Sequence, residues 1–446
     1  MTRVRSALLA LVGVVLLGTA CAPTTVVVPK SASPTATATV GTTLGTSNVC
    51  PLHGADPSTC FTPHSLREAY GMQALVDQGD TGKGVTVVVV VSYGNPNLQQ
   101  DLDAFSRMYG LPALQVPVYS PLGAKPSDPG NADIPLWGLE TELDVESIHA
   151  MAPGAGIVVV TSPVDETEST IGLPQFMQIE QYAVQHHLGQ VFSQSWAASE
   201  ATLTDSASQQ FVKTYDAFYQ QITTQDGITV LAGSGDNGAT DCATISCAVP
   251  GQGPDPAKLA TTPTVNFPAS SPWVVAVGGT SLGRTAQSYT ETAWQGSGGG
   301  VSKFETQPAF QQGLPSAVQS VLHGHRGLPD VAANADPGTS MAYLLDGQWT
   351  QIGGTSEATP LWAGIVAVAD QVAGHPLGLI TPGLYKLGLS ATAAQDYRDI
   401  TSGDNSNTSA PKPVQGYQAG AGWDEVTGWG APLADHFIPD LIAALG

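Results

Sequence analysis

Five short apolar runs constrain this chain more than anything else in it: VTVVVVVS at 85–92, GIVVVT at 156–161, VFSQSW at 191–196, ITVLAGSG at 228–235 and WVVAVGG at 273–279. Each is rich in β-branched residues and none alternates with polar ones, so each suits a strand covered on both faces. Helical stretches are expected between them, at 140–151, 174–187 and 206–224. Strands alternating with helices predict an α/β fold, doubly wound, with a mostly parallel central sheet flanked by helices. In such a sheet ligands sit beyond the carboxyl ends of the strands.

The 446 residues carry 37 acidic and 15 basic side chains, a net charge of −22. That surface repels phosphate backbones, so no nucleic-acid partner is expected. Residues 1–21 read as a signal peptide: Arg3 and Arg5 precede an apolar run from Ala7 to Leu17, too short to span a bilayer. The run ends in LLGTAC, which looks like a bacterial lipobox with Gly18 where Leu is usual, and makes Cys21 the candidate lipid-bearing residue. Residues 22–48 are Thr, Ser, Pro, Ala and Val without amphipathic period, a tether. Residues 49–446 contain no comparable linker and are expected to form one domain.

Cys21 is also the odd member of five cysteines, beside two close pairs, Cys50/Cys60 and Cys242/Cys247. Four cysteines allow three pairings; the two local loops are the simplest for an exported protein. These features place the chain outside the cytoplasm, secreted or held by lipid on the outer face of the cell membrane.

At 353–364 the chain reads GGTSEATPLWAG and continues as an apolar helix. A Gly-Gly-Thr turn that delivers Ser356 to a helix N-terminus exposes its hydroxyl and offers N–H groups to a developing oxyanion. The spacing GTS-x-x-x-P is shared with subtilisin-like peptidases, where that serine is the nucleophile. A plain helix cap is the competing account. A nucleophilic serine needs a base, and none of the nine histidines stands in a suitable motif.

Carboxylates fill that gap. In GLETELDVESIHAMAPGA (138–155), Glu140 and Asp144 lie four apart and share one helix face. In VLAGSGDNGA (230–239), Asp236 follows a strand among glycines. The Glu-x-x-x-Asp helix, the S-x-G-D-x-G segment and the GTS turn together resemble the sedolisins, or serine-carboxyl peptidases, which have a subtilisin-like fold. FTPHSLREAYG (61–71), FPASSPWVVAVGGTSL (267–282) and RGLPDVAANADP (326–337) also look like segments of that family, and Trp196 matches a tryptophan near its substrate cleft.

The resemblance implies peptide-bond hydrolysis in acid through an acyl-enzyme on Ser356, acting on protein or peptide substrates as an endopeptidase or a tripeptidyl peptidase. It makes Glu140 the general base, Asp144 its support and Asp236 a protonated oxyanion donor. It further implies one structural Ca²⁺ in DYRDITSGDN (396–405) and GYQAGAGWDEVTGWGAP (416–432), held by the carboxylates of Asp399 and Asp424 and the carbonyls of Ile400, Gly420 and Gly422. Two departures stand out. Ser92 occupies a place where some members carry Glu, and there is no room for the usual prodomain between Cys21 and Cys50, so a prodomain or inhibitor in trans is one expectation. The rival from another class is a catalytically silent surface lipoprotein that binds peptides; an esterase or amidase on the same scaffold is a third.

Overall fold

The computed structural model describes residues 49–52, 56, 58–125, 127–285 and 288–446. All of them fall in one compact unit, Thr42–Gly446. The signal segment, Cys21 and the tether lie outside the described residues.

Eight strands build the central sheet: β1 (Thr86–Ser92), β2 (Val118–Tyr119), β3 (Gly156–Ser162), β4 (Val191–Gln194), β5 (Thr229–Gly233), β6 (Val275–Arg284), β7 (Tyr289–Ala293) and β8 (Val331–Asn334). Their order is β7-β6-β5-β4-β1-β3-β2, with β8 also paired to β6. Every pairing is parallel except β6 with β7. The five expected strands are all present. The last begins two residues late, at Val275, and runs through Gly278 and Gly279 to Arg284.

The valine run of β1 shows why the sheet is doubly covered. Side chains alternate between faces, so Val87, Val89 and Val91 enter one core and Val88 and Val90 the other. On the first face lie α1 (Ile134–Met151) and, much later in the chain, the long apolar helix Thr355–Ala373, contributing Leu143, Ile148, Leu361 and Trp362. On the second lie α2 (Leu173–Gln185) and α3 (Ser206–Thr224), contributing Phe176, Ile179, Tyr215 and Tyr219. The Thr355–Ala373 helix is α4 below. Disulfides join Cys50 to Cys60 and Cys242 to Cys247.

Candidate active site

The first residues beyond β4 and β5 face the start of α4. Ser356 is the second residue of that helix, and Gly354 is its N-cap, with no side-chain cap bond. The cap position is therefore taken, and Ser356 projects from the first turn, where its N–H has no partner within the helix. Gly354 has φ +124°, and a Cβ there would lie 2.4 Å from Asp236 Oδ2. Only glycine lets the carboxyl approach the turn so closely.

Asp236 Oδ1 accepts two hydrogen bonds, from the Thr355 N–H at 2.7 Å and the Thr355 hydroxyl at 2.9 Å. The same hydroxyl accepts from the Gly235 N–H at 3.1 Å, so Thr355 ties the β5 turn to the helix start. Desolvation raises the Asp236 pKa to about 6 against the opposing pull of both Thr355 donors. The residue is also exposed to solvent, and water there limits the rise. With Oδ1 engaged, a proton on Asp236 belongs on Oδ2, the oxygen beside Gly354.

Glu140 and Asp144 stand one turn apart on α1. Asp144 is fully buried; its Oδ1 accepts from the Ser195 hydroxyl at 2.7 Å and its Oδ2 has no partner. Glu140 Oε1 is likewise buried without a partner. Burial raises the Glu140 pKa, the Ser356 and Ser195 hydroxyls pull it down, and the charge of Asp236 adds to the rise. Burial, then the charge of Glu140, holds Asp144 well above the ordinary carboxyl range. The pair therefore titrates in two steps, with a singly charged state between them that the serine hydroxyls stabilise.

Ser195, the residue after β4, has no role in the expectations above. Its place has a local cause. Pro360 has no N–H to bond the Ser356 carbonyl four residues back, and the Ser195 hydroxyl faces that carbonyl at 3.4 Å. The only signal in sequence was its position at the carboxyl end of a parallel strand, beside Trp196.

Among the described residues no histidine joins this group. His149 is buried, lowered by burial to about 4, with Nε2 3.1 Å from the Pro112 carbonyl; His186 and His187 are exposed. At the end of β1, the Ser92 hydroxyl donates to the Val164 carbonyl at 2.8 Å and so is turned to the backbone.

A cleft of about 400 Å³ opens beside these residues, lined by Glu140, Ser195 and Trp196 among others. Trp196 packs edge-on against Phe176, ring centroids 4.8 Å apart.

Far along the chain, Asp399 Oδ2 accepts from the Gly422 N–H at 3.0 Å and Asp424 Oδ2 from the Gly420 N–H at 2.9 Å. These bonds gather both loops of the expected calcium site. The carbonyls of Ile400, Gly420 and Gly422 accept no hydrogen bond from any described residue. Burial raises Asp424 to about 7 and lifts Asp399 as well. Two carboxyls disfavoured as free anions beside open carbonyls are a donor set that fits a hard cation. Among the described residues, another acidic grouping, Glu168 with Asp241 and Cys242, is no equivalent: Cys242 is disulfide-bonded, leaving two carboxylates.

The sequence model of the subtilase family matches residues 122–430. The chain belongs to the subtilase family. Within it the kinship is with the sedolisins. It is 32% identical to kumamolisin from Bacillus sp. (strain MN-32) over 395 residues, covering 86% of this chain and 64% of that protein. It is 31% identical to sedolisin from Pseudomonas sp. (strain 101), covering 79% of this chain and 57% of that one. A solved structure of Pseudomonas sedolisin, a serine-carboxyl proteinase complexed with two molecules of pseudo-iodotyrostatin, superposes with a TM-score of 0.67 at 28% identity, over 86% of this chain and 98% of that one. This subtilase spans about three fifths of the length of those two curated relatives.

Proposed function

We propose that this chain is an acid-acting serine-carboxyl peptidase. The observation that supports the reading is that Ser356 and Asp236, from two other elements, both act on Glu140, which has Asp144 beside it on α1. Ser356 Oγ attacks the scissile carbonyl carbon while Glu140 takes its proton. Asp144, held by Ser195, carries the proton that keeps the pair singly charged. The oxyanion accepts from the Asp236 Oδ2–H and the Ser356 N–H. Glu140 returns its proton to the leaving amine, and water then releases the acyl group by the same steps. A catalytically silent peptide binder has no observation in its favour, because every position the chemistry needs is filled.

Asp399, Asp424 and the carbonyls of Ile400, Gly420 and Gly422 are proposed to hold a structural Ca²⁺. Export and lipid attachment at Cys21 are proposed from residues 1–21, and a separate prodomain or inhibitor in trans from the sedolisin resemblance. Among the described residues no helix is long and apolar enough to cross a membrane.

The test is digestion of an unfolded protein between pH 3 and 7 by wild type and Ser356→Ala, with product masses. Wild type is expected to cleave and the variant to lose about 10³-fold or more. Equal cleavage by both would refute the assignment; product lengths separate an endopeptidase from a tripeptidyl peptidase. Mass analysis of the exported chain reads whether Cys21 bears lipid.

A further inference from the structure

The cleft beside Glu140 has an unusual wall for a pocket that must take a substrate side chain. Its apolar sides come from Leu136, Trp137, Trp196 and Pro250. Four of its lining residues are acids, Asp133, Glu140, Asp165 and Glu166, and none is Lys, Arg or His.

Three of those acids are already engaged. Glu140 belongs to the catalytic group. Asp133 Oδ1 accepts from the Gly251 N–H at 2.7 Å. Asp165 Oδ1 accepts from the Tyr93 hydroxyl, which also takes the Asp165 N–H and the Asn131 amide, so that loop is fastened to the end of β1. Glu166 takes the Ala197 N–H on its carboxyl, but its Oε1 is buried and has no hydrogen-bond partner. A buried carboxyl oxygen left without a donor is costly. A ligand that brings a donor relieves that cost.

We propose that this pocket selects a long basic side chain, Lys or Arg, flanking the scissile bond, with Glu166 as the residue that recognises its cation. The aliphatic stem lies against Leu136, Trp137, Trp196 and Pro250, and the charged tip reaches Glu166. An all-apolar side chain fills the same walls and leaves Glu166 Oε1 without a donor, so selection comes as much from the penalty on the wrong substrate as from attraction to the right one. Burial, reinforced by Glu168 and Asp241, keeps Glu166 well above the usual carboxyl range while the pocket lacks a cation. An arriving ammonium or guanidinium favours the ionised form, which couples ionisation to occupancy. The inference rests on the peptidase reading.

The experiment uses a peptide series in which each position around the cleavage site carries, in turn, Lys, Arg, or norleucine, a lysine-like stem without its charge. With wild type, one position is expected to prefer Lys or Arg over norleucine by about tenfold or more in kcat/KM. Glu166→Gln, which keeps the shape, should collapse that ratio at that position alone. A wild-type preference for norleucine or aromatic side chains at every position overturns the inference, as does an unchanged ratio in Glu166→Gln. The wild-type profile decides the matter even if the variant fails to fold. Absence of all cleavage would sink the peptidase reading, and this inference with it.

Discussion

Asp236 shows how much chemistry rests on which carboxyl oxygen is engaged. Both Thr355 donors act on Oδ1, so Oδ2 is free to carry a proton toward the substrate. Because desolvation lifts the group to about 6, that proton is present in acid and lost as the pH rises through 6. Activity should therefore fall on the alkaline side as Asp236 ionises. Asp236→Asn tests the orientation: its amide oxygen takes the Oδ1 place and its NH₂ the Oδ2 place. The variant is expected to retain a donor at all pH values and to shift the alkaline limb of the kcat profile upward. Asp236→Ala should instead lower kcat by about 10²–10³-fold. A fall near pH 6 that persists unchanged in Asp236→Asn would show that another group sets it. At this scale the four proposed site residues could be singled out in the sequence because each sits in a short, chemically distinctive segment. Ser195 and Glu166 could not. Both came to notice only through the fold, Ser195 by its bond to Asp144 and Glu166 by its place in the cleft wall, and nothing in their immediate neighbours signals either.

Whole elements were legible where burial is total and less so at their ends. The valine-rich strands announce themselves because both faces are covered. The helix bearing Glu140 was expected from residue 140, yet it starts at Ile134. Pro135 stands in its first turn, where proline removes only an N–H that has no partner anyway. The C-terminal loops are the opposite case, elements with almost no regular structure of their own, tied by Asp399 to Gly422 and Asp424 to Gly420. If Ca²⁺ replaces those weak ties, chelation should lower Tm by several degrees at neutral pH, and added Ca²⁺ should restore it. Asp424→Asn should abolish the response to Ca²⁺. A Tm indifferent to both chelator and calcium would remove the metal from this site.

Across the molecule, further carboxyls outside the proposed catalytic group are buried and raised. Burial raises Glu180 and Glu357 to about 8, and Glu200 and Asp370 to about 7. Glu142 is the extreme: both its oxygens are buried without a partner, and burial, then the charge of Glu146, raises it to about 10. A raised carboxyl is protonated in the fold at a pH where the unfolded chain would already have ionised. Its stabilising effect is thus fully present below about 4.5, the ordinary carboxyl range, and is lost as the pH climbs through the folded value. Several such groups acting together predict a Tm that falls steadily from pH 4.5 to 8, with the self-repulsion of a net charge of −22 adding to the fall. Glu142→Gln separates the two causes, since it removes one titrating group and leaves the net surface charge alone. Its Tm should match wild type near pH 5 and exceed it at pH 8, giving a shallower slope. A wild-type Tm that rises between pH 5 and 8 would mean that these acids fold in the ionised state with partners. The fold and the proposed active site would then be tuned to different conditions, whereas carboxyls that fold protonated predict that acid favours both.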